Sequence, residues 1–209
     1  MPPPSVLIVF AAASLALLVV PGPAVLYVVT RSVAQGRRAG LISVLGVHVG
    51  SVVHVAAAAL GLSALLASSA TAFGVVKVLG AGYLIWLGAR KLLRREDVTV
   101  EDVAPVSQRR LFTQGIVVNV LNPKTAIFFL AFLPQFVNPA RGPVAPQILV
   151  LGVSFIVLGM LSDGAYALLA GALAGRLRHT VRARRRLDRA SGLVYLGLGA
   201  GAAFAGNGK

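Results

Sequence analysis

Six apolar runs, each long enough to cross a lipid bilayer, constrain this chain more than any other feature. They cover roughly 5–30, 40–66, 71–91, 111–137, 144–173 and 190–206. A bilayer core takes about 20 apolar residues of helix, and inside it every backbone N–H and C=O must be paired within the protein. The expected fold is therefore an all-α integral membrane protein with six transmembrane helices, forming a single transmembrane domain over residues 1–209. Its composition agrees: 57% of residues are hydrophobic and 12% charged, with a mean hydropathy of +0.84. The first run has no basic residue before it and continues past the length of a signal-peptide core, so it reads as a retained helix.

A formal net charge of +14 could suit a nucleic-acid binder, but the placement of the basic residues explains it otherwise. Arg31, Arg37 and Arg38 follow the first run; Arg90, Lys91, Arg94, Arg95, Arg109 and Arg110 follow the third; seven arginines from Arg176 to Arg189 follow the fifth. The alternate loops carry only Arg141. By the positive-inside rule the odd loops are cytoplasmic and both termini lie outside. The Arg182–Arg186 cluster reads as a topology signal and a contact for anionic lipid, and no nucleic-acid partner is expected.

The longest polar segment runs from Arg94 to Arg110 and reads as a cytoplasmic linker, about 93–110, between repeat 1 (about 1–92) and repeat 2 (about 111–209). Three matches occur in the same order in both halves. Val20–Pro21–Gly22–Pro23–Ala24–Val25 aligns with Val120–Leu121–Asn122–Pro123–Lys124–Thr125, and Leu45–Gly46–Val47 with Leu151–Gly152–Val153. Lys77, Gly80 and Tyr83–Leu84 align with Arg189, Gly192 and Tyr195–Leu196. Three spans in each half give the halves opposite orientations, an inverted repeat of the kind secondary transporters use.

Polar and helix-breaking residues inside the runs carry the functional signal. Pro123 has no N–H and clashes with the preceding turn, so a helix arriving from Phe112 should stop near Leu121. Asn122 as N-cap and Pro123 at the first helical position should start another half-helix. Pro21–Gly22–Pro23 breaks the first span in the equivalent place. Exposed backbone at membrane depth must face protein or water, so both breaks should point inward, with their positive helix ends aimed at an anion such as a carboxylate.

Lys124 lies deep in the fourth run, where a lysine costs about 2.5–3.5 kcal/mol on insertion scales and needs a partner or ligand. Asp163 is the only acidic residue in any of the six runs, which makes it the natural counter-ion or proton carrier. Ser162 adjoins it, and Tyr166, three residues on, shares its helix face. His54, or His48 nearer the cytoplasmic end, could face Asp163 across the bundle and supply a titrating group. His54 is taken as the second proton-coupling candidate. Gly46, Gly50 and Gly61 should allow close helix contact, and Lys77, Tyr83 and Trp86 read as packing or interfacial anchors. With no cysteine, no metal-ligand pair at helical spacing and no nucleophile beside a base, neither a metal, nor a cofactor, nor an enzyme activity is expected.

Several blocks together resemble the LysE/RhtB family of amino-acid exporters: Pro21–Gly22–Pro23, Arg31–Ser32 with Gln35–Gly36–Arg37–Arg38–Ala39–Gly40, Gly80–Ala81–Gly82–Tyr83–Leu84, and Asn119–Val120–Leu121–Asn122–Pro123–Lys124. The last is followed by Phe128–Phe129 and Leu133–Pro134–Gln135–Phe136, and the likeness extends to Asp163, Tyr166 and Asp188–Arg189. The resemblance implies a bacterial inner-membrane exporter of amino acids or their derivatives, driven by proton antiport and assembled as a homodimer. The family often carries Asn directly after Pro-Gly-Pro, where this chain has Ala24. Taken together, the substrate site should comprise Pro21, Gly22, Pro23, Ala24, Asn119, Asn122, Pro123, Lys124 and Asp163, with Asp163 and His54 coupling the proton. A cation exporter or channel-like protein of the same fold is the alternative.

Overall fold

In a computed structural model of the chain, residues 1–68, 75, 78 and 104–174 are described. The sixth expected span, all but two residues of the third, the Arg182–Arg186 cluster and the linker up to residue 103 lie outside the described residues. The last of the three repeat matches, with Tyr83 and Trp86, lies outside them too.

The first span is two helices, α1 (Pro4–Val19) and α2 (Pro23–Gln35), bent by 53° at the Pro-Gly-Pro break. Proline explains both ends. Pro21 cannot continue α1, whereas Pro23 occupies the first turn of α2, where its missing N–H costs nothing. Helix α2 runs past the apolar stretch to Gln35 and stops at Gly36, whose φ of 85° is the left-handed conformation that favours glycine. α3 (Arg37–Ser68) then begins at once.

The fourth span is also broken. α4 (Gln108–Val120) starts on the side chain of Ser107, which accepts from Arg110 N–H, and stops at Leu121. α5 (Pro123–Ile127) restarts with Asn122 Oδ1 accepting from Lys124 N–H at 3.1 Å, the cap expected of an Asn-Pro pair. The two segments meet at 47°. Beyond α5 the helix widens into a π turn (Phe128–Phe132) and tightens into a 3-10 turn (Leu133–Phe136). Pro134 has no N–H to return to the carbonyl of Leu130, which removes the regular bond at the point where the helix changes pitch. A 3-10 turn (Pro139–Arg141) leads to the last described helix, α6 (Val144–Ala172).

α3 and α6 are each long and apolar enough to cross a membrane, and each bent pair passes the same test as one broken span. Their outer faces present Ile8, Val9, Val52, Val53, Val153, Leu161 and Leu169, as lipid contact requires. α3 is the central strut, packed against both α4 and α6. Its contact with α4 is made by small residues: a methyl group on Gly46 would lie 2.2 Å from the carbonyl oxygen of Phe112, and one on Gly50 2.8 Å from that of Ile116. Gly61 differs, since no described atom lies within 4 Å of where its methyl would go.

Two polar contacts tie together segments that the charge pattern assigns to one membrane face. The amide of Gln35 bonds both ways with the backbone of Val106, and Arg31 donates to Ala104 O and to Gln114 Oε1. At the opposite end, the terminal amine of Met1 donates to Arg141 O at 3.2 Å.

The apolar interior is in two parts. One gathers Phe10, Leu17, Phe128, Phe129, Phe132 and Phe155, and the other gathers Ala24, Val28, Val44, Val47 and Ala167. Between them lies a buried polar layer.

Candidate functional site

The polar layer is set by the two breaks. A helix that stops at membrane depth leaves its last carbonyls without i+4 partners, and each must find another donor. At the end of α1, Lys124 Nζ donates to Leu17 O at 2.7 Å and also to Val20 O, while Tyr166 OH donates to Val19 O at 2.6 Å. At the end of α4, His54 Nε2 lies 2.9 Å from Asn119 O. A carbonyl only accepts, so His54 is the donor there. The partial negative charge of the α1 C-terminus suits the Lys124 ammonium, which is buried to 7% exposure. Gly22 makes room for it: a methyl at that position would lie 2.9 Å from Lys124 Cδ.

Asn119 is the hub of the second break. Its Nδ2 donates to Val47 O and to Ser51 Oγ, each at 2.8 Å, and its Oδ1 accepts from Thr125 Oγ1 at 3.0 Å. These bonds fix α4 and α5 against α3.

Asp163 of α6 and His48 of α3 form a buried pair, with Oδ2 and Nε2 3.2 Å apart and the residues 3% and 4% exposed. The imidazole reaches the carboxylate through a slot on α6, because a methyl on Gly159 would lie 2.4 Å from His48 Cε1. The approach is an ion-pair distance without hydrogen-bond geometry: Asp163 Oδ1 and both ring nitrogens of His48 are buried with no hydrogen-bond partner. Unpaired polar atoms at this depth are costly, and a site that keeps them calls for a functional explanation.

These groups border one cavity of about 30 Å³. His48, Ser51, Asn119, Asn122, Lys124, Thr125 and Asp163 line it together with Gly22, Ala24 and the apolar Leu17, Leu18, Val25, Val47 and Phe155. The space holds about two waters. An amino acid enters only if the surrounding helices separate.

Six of the residues expected at the site therefore meet at the cavity: Gly22, Ala24, Asn119, Asn122, Lys124 and Asp163. Pro21, Pro23 and Pro123 make the breaks without lining it. Of the two histidines that could face Asp163, His48 does so, and His54, the expected proton-coupling candidate, does not. His54 lies on another face of α3, bonded to Asn119 O and stacked on Phe129 at 6.1 Å between ring centroids. Six residues along a helix turn the side chain about a third of a circle away, so one histidine alone can face α6. Ser51, Thr125, Phe155 and Gly159 were not singled out in the sequence. Gly159 had a readable signal: a glycine four residues before the buried acid leaves a gap on the same helix face.

Broken apolar spans around a buried layer that holds, among the described residues, Asp163, Lys124 and His48 define a multi-pass membrane transporter. The chain belongs to the LysE type translocator family, whose model matches residues 15–206, and is not an enzyme. It is similar to the homoserine/homoserine lactone efflux protein of Salmonella typhimurium, at 34% identity over 181 residues, which cover 86% of this chain and 87% of that protein. An uncharacterized membrane protein of Vibrio cholerae is 32% identical over 180 residues, with 86% and 87% covered. The leucine efflux protein of Enterobacter sp. is 26% identical over 189 residues, with 88% of each chain covered. No solved structure matches the chain.

Proposed function

We propose that the protein exports an amino acid with an uncharged side chain from the cytoplasm, bound as a zwitterion between the two breaks and exchanged for a proton. The observation that carries this is the shared cavity of Lys124 and Asp163, opposite charges in a space lined also by Leu17, Val25 and Phe155. In it, Asp163 takes the substrate ammonium. The substrate carboxylate competes with the Leu17 and Val20 carbonyls for Lys124 and meets the N-terminal end of α2, which has no side-chain cap. α5 is the weaker anion site, since Asn122 already caps it. Asp163 is the only acid in the six apolar runs, so a second cation on the substrate would have no counter-ion there. The names of the homoserine and leucine efflux relatives agree with an uncharged side chain.

The crosswise capping of the breaks supports the inverted repeat. Val19 and Asn119 are equivalent in the repeat, and each offers its carbonyl to a side chain on the long helix of the other half, Tyr166 of α6 or His54 of α3. The six spans, both termini outside, insertion in the inner membrane, a homodimer and the division at about 93–110 belong to the same proposal. The chain has no cysteine, so Ser5→Cys and Ser107→Cys variants test the orientation directly: an impermeant thiol reagent should label only the first from outside. Export is tested by loading cells with dipeptides and measuring the amino acids released. Efflux of neutral amino acids in excess of cells lacking the protein supports the proposal, and unchanged efflux across the whole panel refutes it.

A further inference from the structure

The His48–Asp163 pair has more capacity than a structural contact needs. Asp163 keeps one buried oxygen without a hydrogen bond and His48 keeps both ring nitrogens so, and both residues border the cavity proposed for the substrate. Asp163 has one carboxylate to offer. We propose that protonated His48 and the substrate ammonium compete for it, so that His48 carries the exchanged proton. This rests on the export reading above and assigns its coupling residue.

Among the described residues, the other titratable groups on the packed elements either have partners of their own or stand away from the pair. Lys124 of α5 borders the same cavity and is held by α1 carbonyls. Tyr166 of α6 donates to Val19 O, His54 of α3 to Asn119 O, and Tyr27 of α2 to Leu111 O. Arg31 of α2 is bonded to Ala104 and Gln114. Arg37 and Arg38 of α3 and Arg109 and Arg110 of α4 stand in the first turns of their helices, away from the layer. α1 has no titratable side chain. Among the described residues, that leaves the imidazole as the group that can gain or lose a proton at the carboxylate without breaking another contact. Histidine is suited to it, since its charge change falls near neutral pH.

The exchange then balances. With the cavity open to the cytoplasm, the ammonium takes Asp163 and the His48 imidazolium gives its proton to the cytoplasmic water. With the cavity open to the outside, the amino acid leaves and His48 takes a proton from the external water and closes on Asp163. One proton moves inward for each zwitterion moved outward, and one positive charge moves with it.

The test adds a transported neutral amino acid to purified protein in weak buffer at neutral pH and follows a pH indicator. Wild-type protein should release protons on binding, approaching one per bound substrate as the starting pH is lowered, and His48→Gln should bind but release none. In proteoliposomes the variant should continue substrate counterflow at a reduced rate while accumulation driven by a pH gradient falls at least tenfold. Proton release that persists in His48→Gln, or accumulation with the wild-type pH dependence, overturns the assignment in favour of Asp163 as the carrier. If the variant does not fold, imidazole nitrogen spectra of the wild type replace it, with His54 and His179 identified by their own substitutions. There the His48 imidazolium should give way to neutral imidazole on adding substrate, and an unchanged signal overturns the proposal. Wild-type protein that moves no amino acid at all refutes the export reading itself, and the coupling role falls with it.

Discussion

Lys124, in the first turn after the second break, donates its Nζ hydrogen to the carbonyl of Leu17, in the last turn before the first. The two interruptions are thus joined: a cation from one neutralises the exposed end of the other. Replacing Lys124 with Met keeps the stem packed on Gly22 and removes the donor. Buried acceptors left unmade cost about 1–3 kcal/mol each. Lys124→Met should lower the melting temperature in detergent and cut export at least tenfold. Export at the wild-type rate would remove Lys124 from the site.

The caps on Val19 and Asn119 should behave alike. Tyr166→Phe keeps the ring and loses the hydroxyl, and His54→Phe keeps the stacking on Phe129 and loses the donor. Each should destabilise the protein by about 1 kcal/mol, within the usual range for a lost hydrogen bond. Thermal unfolding of both variants in the same detergent checks this. A neutral His54→Phe would show that the Asn119 carbonyl finds another donor.

Gly159 and Gly164 form a matched pair on α6. A methyl on Gly159 meets the His48 ring, whereas no described atom lies within 4 Å of one on Gly164. Gly159→Ala should push the imidazole off Asp163 and reduce pH-gradient-driven transport at least tenfold. Gly164→Ala should leave it unchanged, which transport at several external pH values would read.

Gly46→Ala places its methyl against backbone, the carbonyl of Phe112, which cannot yield without separating α3 from α4. Overpacking of this kind costs about 1–3 kcal/mol. Gly50→Ala, with its nearest atom at 2.8 Å, should cost less. Chemical unfolding or proteolysis of the purified variants gives the order.

The breaks were legible because proline removes a donor wherever it stands, and an Asn-Pro pair both ends one helix and caps the next. That α3 makes a close helix contact was legible from Gly46 and Gly50, four residues apart, though not that α4 is the partner. The choice between His48 and His54 was not, because α3 is apolar around most of its circumference and its sequence gives no phase for the face turned to α6. The partner of Lys124 was half legible. A buried lysine needs acceptors, and the break at Pro21 necessarily leaves carbonyls exposed, but only the folded chain shows that the two needs meet. The π turn at Phe128–Phe132 left its trace in Pro134 alone.

The central claim is that Asp163 and Lys124 hold the two ends of an exported amino acid. The most direct measurement is efflux from dipeptide-loaded cells that make wild-type protein, Asp163→Asn or Lys124→Met at equal membrane levels. Wild-type cells should release one or more neutral amino acids faster than control cells, and both variants should fall to the control rate. Variants that release those amino acids at the wild-type rate would contradict it.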